Sequence, residues 1–294
     1  MGALVGISLN TVREALRQPF YYLLLATGMA ALAATLRLPL FTFYNDTDMY
    51  KDMGLSFLLL AVLLSGLLAA ATGVAREVED KTAQTILSKS SGRWQFVVGK
   101  YLGVMGVVTL AAVVLGVVFA AAVYYRVELD ASFVERSLTL GGVGRQVAEF
   151  RERQLNQALT VVPGVVLVLL QVGVLSAVAT ALSTRFSPTA SVALSLAAFL
   201  VGHLTVFLET SAQAAQGWLG WLVQGVLAVV PFLEIFNINE KLSHSILTPF
   251  AGGPGAEEWA AVWSYVGWSA AYAVAYAIGA IGVGVMLFRR RSLA

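Results

Sequence analysis

Long apolar runs are the feature that most restricts what this chain can fold into. A helix needs about 20 mostly apolar residues to cross roughly 30 Å of hydrocarbon. Composition fits such spans, because 58% of the residues are hydrophobic, 12% are charged and the mean hydropathy is +0.78. The loops are too short for a separate soluble domain, so the sequence predicts an all-α integral membrane protein with a single domain over residues 1–294. The six predicted transmembrane helices are 20–41, 54–75, 96–125, 159–182, 189–208 and 262–288.

Basic residues predict the orientation of these six spans. Lys and Arg near span ends tend to stay on the cytoplasmic side. With the N-terminus inside, that side holds eleven of the nineteen basic residues but only four of the seventeen acidic ones. We therefore expect a multi-pass protein of the cell inner (cytoplasmic) membrane with both termini in the cytoplasm.

A seventh apolar run, residues 218–236, is shorter and contains Pro231. Trp218 and Trp221 are typical of the aromatic belt at a membrane surface. A complete seventh span would move the basic C-terminus outside, against the charge rule. We expect an outer re-entrant hairpin before the last span, within the region 209–261, and a true seventh span remains the alternative.

Two further segments are expected to lie at the membrane surfaces. Residues 3–18 place apolar side chains broadly on one side and polar ones on another, which predicts an interfacial helix on the cytoplasmic face. Residues 126–157 form a long outer loop of mixed charge, with apolar residues at near-helical spacing in its second half. This loop is predicted to carry an amphipathic outer helix that runs into the fourth span, and a solvated spacer is the open alternative.

The strongly polar stretch 76–93 separates the second and third spans. In "EDKTAQTILSKS", Ala83, Ile86 and Leu87 fall on one face of a helix and polar residues on the other. Asp80 or Thr82 can cap its start. The pattern predicts a short amphipathic helix on the cytoplasmic membrane surface, larger than a simple connection needs.

The segment "EVEDKTAQTILSKSSGRWQFVVGKYLG" resembles the cytoplasmic coupling segment of the type-2 (ABC-2-like) ABC transporter permeases. The residues that match the family pattern are Glu77, Glu79, Thr82, Ile86, Leu87, Ser88, Arg93, Gly99 and Lys100. Ser90 stands where the family often has Pro, so the helix is expected to end less sharply.

The resemblance implies a permease subunit of an ATP-driven exporter that dimerises, as a homodimer or a heterodimer, and docks a separate ABC ATP-binding subunit. ATP and magnesium are then expected in that partner. The residues implied in docking and coupling are Glu77, Glu79, Asp80, Lys81, Thr82, Ile86, Leu87 and Arg93.

Several kinds of chemistry lack their motifs in this chain. There is no GxxxxGK[ST] phosphate loop, no HExxH, no GxSxG and no cysteine. We therefore expect no enzyme activity, no cofactor and no metal site in the chain itself. The partners expected are the lipid bilayer and the other transporter subunits, with no nucleic acid.

Polar residues inside spans are costly and often functional. Gln171 in the fourth span and His203 in the fifth are the deepest, and each is expected to make an interhelical hydrogen bond or to line a substrate path. Small-residue stripes, Gly99-x-x-x-Gly103 and Ala271, Ala275 and Gly279, predict close helix packing.

Two other functions stay open at this point. A secondary transporter is disfavoured because no buried row of carboxylates occurs, and a non-transporting membrane scaffold or assembly factor is the second alternative. Lipids, drugs, peptides and polysaccharide all remain possible substrates.

Overall fold

The computed structural model describes residues 2–36, 46–79, 92–137, 158–205, 207–208, 218–237 and 256–289. Within these ranges the protein is helical and contains no strand. The α-helices are α1 (Gly2–Leu16), α2 (Pro19–Leu36), α3 (Asp46–Glu79), α4 (Arg93–Ser137), α5 (Val161–Ser183), α6 (Pro188–His203), α7 (Trp218–Val229) and α8 (Ala256–Arg289), and a 3-10 helix covers Leu233–Phe236.

Five of these helices are long and apolar enough to cross a membrane. Their spanning portions are Pro19–Leu36, Met49–Gly73, Arg93–Arg126, Val161–Ser183 and Trp259–Arg289. The fifth predicted span contains α6, which has 16 residues and ends before the predicted boundary at residue 208. Helix α7 has only 12 residues, about 18 Å at 1.5 Å per residue, and is shorter than a span.

Two of the polar connections begin as continuations of spanning helices. Helix α3 runs on to Glu79, and α4 runs on to Ser137, well past the predicted loop boundary at residue 126. Residues such as Arg, Glu, Leu and Ala favour helix whether or not they are apolar, so the helix outlasts the hydrophobic run.

Helices α3 and α5 form the centre of the bundle. About two thirds of each spanning window is buried, against 22% for α2 and 28% for α8. Leu58, Leu67, Leu167 and Leu175 are fully enclosed. Gly66 lets the two central helices meet closely, because a Cβ there would lie 2.7 Å from the Ser176 hydroxyl.

One end of the bundle gathers the ends of three helices. A Cβ on Gly284 of α8 would lie 2.9 Å from the Ala181 Cα of α5 and 3.7 Å from Val97 of α4. The Phe96 and Phe288 rings stack there with centroids 5.5 Å apart. The start of α4 therefore lies at the same end as the last turns of α5 and α8.

Helix α1 packs against the first turns of α4, along a row of glycines. A Cβ on Gly99 would lie 2.9 Å from Ile7, and one on Gly103 would lie 2.5 Å from the Thr11 Cβ and 2.8 Å from the Ser8 carbonyl oxygen. The predicted Gly99-x-x-x-Gly103 stripe is thus an intramolecular packing surface. In contrast, a Cβ added to Gly279 of the predicted α8 stripe would meet no atom within 4 Å among the described residues.

The segment formed by α7, Pro231 and the 3-10 helix (residues 218–237, called the broken segment below) lies against α8. Its helix stops at Val229, so backbone groups around Pro231 lose their helical partners. Tyrosines of α8 bond to them: Tyr276 donates to the Val229 carbonyl (2.6 Å), and Tyr272 accepts from the Phe232 N–H (2.8 Å). Tyr265 donates to the Ile235 carbonyl at 2.7 Å. In hydrocarbon such backbone groups must be satisfied by protein, and these hydroxyls do so.

Candidate functional site

A cavity of about 450 Å³ lies between α3, α5, α6 and the broken segment. Its volume falls within the range of small-molecule sites, roughly 300–1,000 Å³. Ser56, Leu60 and Asn237 of its wall are exposed, so the cavity can be entered. The described residues that line it are Leu55, Ser56, Leu59, Leu60, Gly164, Val168, Gln171, Phe199, His203, Phe236 and Asn237.

The structure brings Gln171 and His203 together in the cavity wall. Nε2 of Gln171 lies 3.0 Å from Nε2 of His203, so α5 and α6 are joined by a side-chain hydrogen bond. The His203 ring also lies against Phe199, with centroids 4.4 Å apart. The two residues therefore make the predicted kind of interhelical bond, with each other, and both also line the cavity.

The hydrogen positions in this pair follow from a backbone carbonyl. Nδ1 of His203 lies 2.9 Å from the Phe199 carbonyl oxygen, one turn earlier in α6. A carbonyl only accepts, so Nδ1 carries the proton. In the neutral ring Nε2 is then an acceptor, and the Gln171 amide N–H donates to it. The Gln171 side-chain oxygen, Oε1, is consequently turned away from the imidazole.

Glycine makes room for this site. A Cβ on Gly164 of α5 would lie 2.8 Å from the Leu55 side chain of α3, within the cavity wall. On α6, a Cβ on Gly202 would lie 2.7 Å from Leu233 and 2.8 Å from the Pro231 carbonyl oxygen. The end of α6 is thus pressed against the broken segment, next to His203.

The residues implied in ATPase docking are only partly within the described chain. Glu77 and Glu79 lie in the last turn of α3, and Asp80, Lys81, Thr82, Ile86 and Leu87 lie outside the described residues. Arg93 is the first residue of α4, and its guanidinium donates to the carbonyls of Arg289 (2.8 Å) and Phe288 (3.5 Å). Arg93 thereby caps the C-terminal end of α8, where a positive charge is favourable.

Lys100, part of the matched pattern, has a structural partner that the sequence did not suggest. Its side chain is 1% exposed, and Nζ lies 3.6 Å from a carboxylate oxygen of Glu14 on α1. A Cβ on Gly73 of α3 would lie 4.0 Å from the same Nζ. Lys100 therefore connects α1 with the end of α3 and the start of α4, the two helices that flank the stretch 80–91.

The tyrosines of α8 are the other residues that the sequence analysis missed. Tyr265, Tyr272 and Tyr276 are spaced by seven and four residues, which places them on one helical face. That spacing was visible in the sequence. Their partners were not, because the partners are backbone groups of another segment.

Comparison with known proteins assigns the chain to a family. Residues 7–281 match the family described as ABC-2 family transporter protein. Comparison with curated proteins gave no match. Because the family match spans nearly all of the helical bundle described above, this chain belongs to the ABC-2 family of membrane transporter proteins.

Proposed function

We propose that this protein is the permease subunit of an ATP-driven exporter, in which a separate ABC ATP-binding subunit hydrolyses ATP. The family match over residues 7–281 carries the proposal. The chain has no phosphate loop of its own, so ATP and magnesium belong to the partner subunit. Two permease chains, identical or different, complete the pathway.

The connection between α3 and α4 is the proposed docking surface. It joins helix ends at the end of the bundle where Arg93 caps α8 and where Lys100 meets α1. A push on residues 80–91 would therefore reach α3, α4, α1 and α8 directly. Glu77, Glu79, Asp80, Lys81, Thr82, Ile86 and Leu87 are the proposed contacts with the ATPase, with Arg93 fixing the base of this surface.

Charge supports placing that end in the cytoplasm. Arg93 begins α4, Arg185 follows α5, and Arg289 ends α8. The contact of Gly284 with Ala181 and the hydrogen bond from Arg93 to the Arg289 carbonyl bring these three helix ends to the same end of the bundle. Lys and Arg are enriched on the cytoplasmic side, so we place this end, with both termini, inside the cell and the protein in the cytoplasmic membrane.

The broken segment is proposed to be the outer re-entrant hairpin. Along α8, Tyr276 lies about 20 Å and Tyr265 about 36 Å from Arg289, at 1.5 Å per residue. The hydrogen bonds to these tyrosines bring Val229 nearer than Ile235 to the Arg289 end of α8. This direction from Val229 to Ile235, away from the proposed cytoplasmic end, supports an outer hairpin whose turn lies near Pro231. If the broken segment is a hairpin, we propose that the sixth crossing consists of α6 and the residues that follow it, because α6 alone ends where Gly202 meets Pro231.

The docking proposal is tested by co-purification with a co-expressed ABC ATP-binding subunit. We expect the combined substitutions Glu79→Ala, Thr82→Ala and Ile86→Ala to lower the recovered ATPase at least about tenfold, because several clustered contacts carry most of an interface's energy. The stimulation of ATP hydrolysis by the permease should fall with it.

A matched control carries the same kinds of truncation on the opposite side of the membrane. Thr139→Ala, Val143→Ala and Glu149→Ala lie in the predicted outer loop, and this variant should recover the ATPase at the unmodified level. Undiminished association and ATPase stimulation in the first variant would contradict the assignment of the coupling segment.

A further inference from the structure

We propose that the cavity between α3, α5, α6 and the broken segment binds an uncharged amphiphile, whose hydroxyl or amide N–H donates a hydrogen bond to Oε1 of Gln171. The inference rests on the proposed transport function, because it names the class of molecule that the permease would carry. Three observations on the described residues lead to it: Oε1 of Gln171 has no donor among them, the lining residues among them carry no formal charge, and most of their surface is apolar.

The acceptor is the side-chain oxygen of Gln171. This residue is 3% exposed, and its amide nitrogen is committed to His203. Within the described part of the chain, no donor contacts Oε1. Oε1 is not among the fully enclosed unpaired side-chain atoms of the described residues, so it is accessible from the cavity. A molecule that supplies a donor there gains a hydrogen bond that a molecule without a donor does not gain.

The pair with His203 fixes which end of the amide faces the cavity. Because Nδ1 of His203 donates to the Phe199 carbonyl, the imidazole presents an acceptor to Gln171. Turning the amide over would set its oxygen against that acceptor. Gln171 is therefore held with its nitrogen on the ring and its oxygen available, which selects a donor in the ligand rather than an acceptor.

The described lining contains no Asp, Glu, Lys or Arg. A phosphate or an ammonium group placed there would lose its hydration without meeting an opposite charge, and that loss is far larger than one neutral hydrogen bond returns. Among the described lining residues, the neutral polar groups are those of Ser56, Asn237, Gln171 and His203. The lining therefore disfavours ionised head groups of either sign.

The rest of the wall suits an apolar body. Leu55, Leu59 and Val168 provide aliphatic surface, and Phe199 and Phe236 provide aromatic surface. About 450 Å³ is enough for one lipid-like or drug-sized molecule rather than for a polymer chain. One donor head on one apolar body is the ligand that matches this distribution.

The test uses the full-length permease alone in lipid nanodiscs, with four photoreactive diazirine probes that share a dodecyl tail. The head groups are an alcohol, its methyl ether, a phosphate and a primary amine. Labelled peptides from α3, α5 and α6 are quantified by mass spectrometry as probe concentration rises. Labelling at the exposed face of α4, which includes Val113 and Val117, measures simple contact with lipid in the same sample.

We expect the alcohol to half-saturate the cavity peptides at a concentration about fivefold below that of the ether, the effect of one neutral hydrogen bond. The phosphate and the amine should require more than about tenfold higher concentration than the alcohol. At the α4 face the alcohol and the ether should label alike. Equal half-saturation of alcohol and ether at the cavity peptides would overturn the proposal.

Variants assign the preference to Gln171. In Gln171→Leu the difference between alcohol and ether should disappear, whereas Gln224→Leu, the same change on the exposed surface of α7, should retain it. Gln171→Glu keeps an acceptor and adds a negative charge, so the amine should overtake the alcohol. A difference that persists in Gln171→Leu would show that another group receives the donor and would overturn the assignment.

Probe binding and ATPase association are separate measurements. If the alcohol and the ether label the cavity peptides differently, the ligand class is supported. This holds even if the ATPase fails to co-purify and the proposed transport function is rejected. Association with the ATPase and equal labelling by both probes leave the transport function in place and remove the ligand class.

Discussion

Two short segments, α1 and the broken segment, are each held against a long spanning helix, and they are held in opposite ways. Helix α1 lies on glycines of α4, where backbone approaches backbone and no Cβ fits. The broken segment is held at a distance by tyrosine side chains of α8 that bond to its open backbone groups. The contact of α1 with α4 depends on residues without side chains. The contact of the broken segment with α8 depends on long side chains.

The difference fits the surroundings of each segment. Helices packed as densely as a protein interior can shift little relative to each other. Helix α1 is packed in this way next to the helix ends that flank the proposed docking surface. The broken segment instead supplies Phe236 and Asn237 to the cavity wall. This part of the cavity wall is therefore held by individual side-chain hydrogen bonds, which substitutions can remove one at a time.

The largest expected effect is at the glycine contact. Gly103→Ala places a methyl group 2.5 Å from the Thr11 Cβ and 2.8 Å from the Ser8 carbonyl oxygen. The helices must separate, so we expect a loss of about 3 kcal/mol in the free energy of unfolding, at the upper end for overpacking. Denaturation of the purified protein in mixed micelles measures this loss.

The matched control is Gly282→Ala in α8, where no atom of the described residues lies within 4 Å of the new methyl group. Alanine favours helix over glycine, so this variant should be as stable as the unmodified protein or slightly more stable. Equal losses for both variants would show that the effect comes from glycine in a span and not from the contact with α1.

A smaller effect is expected for the ion pair at the same contact. Glu14→Ala leaves the enclosed Lys100 ammonium without this carboxylate. Breaking a fully buried pair costs about 3–5 kcal/mol. The Glu14 side chain is 34% exposed and Lys100 has further contacts, so we expect about 1–2 kcal/mol. A double-mutant cycle with Lys100→Met should recover most of the loss, and strictly additive losses would contradict a direct pair.

The sequence predicted the long helices and their shared membrane character, because apolar length is a local property. It did not predict where those helices end. Helix α4 continues through the polar residues up to Ser137, and α6 stops at His203 inside an apolar run. Hydropathy records the preference of side chains for lipid, whereas helix ends depend on backbone propensity and on neighbours such as Pro231 beside Gly202.

The sequence patterns also did not predict which residues far apart in the chain contact each other. Gln171 and His203 were each recognised as unusual polar residues in spans, but not as partners, because 32 positions separate them. The pairing of Lys100 with Glu14 is of the same kind. Spacing rules read only residues three or four positions apart on one helix, and these pairs depend on how helices pack.

The smallest expected effects are at the tyrosine contact, and they separate a sole donor from a shared one. Tyr276→Phe removes the only hydrogen bond that the described residues make to the Val229 carbonyl. We expect a loss of about 1 kcal/mol in the free energy of unfolding. Ser269→Ala removes a donor 3.3 Å from the Ile235 carbonyl, but Tyr265 still donates to that oxygen at 2.7 Å. The Ser269→Ala variant should therefore lose less than about 0.5 kcal/mol in the free energy of unfolding. The same denaturation measurement should rank Tyr276→Phe as the less stable variant. The reverse order would show that the hydroxyls do not hold the broken segment.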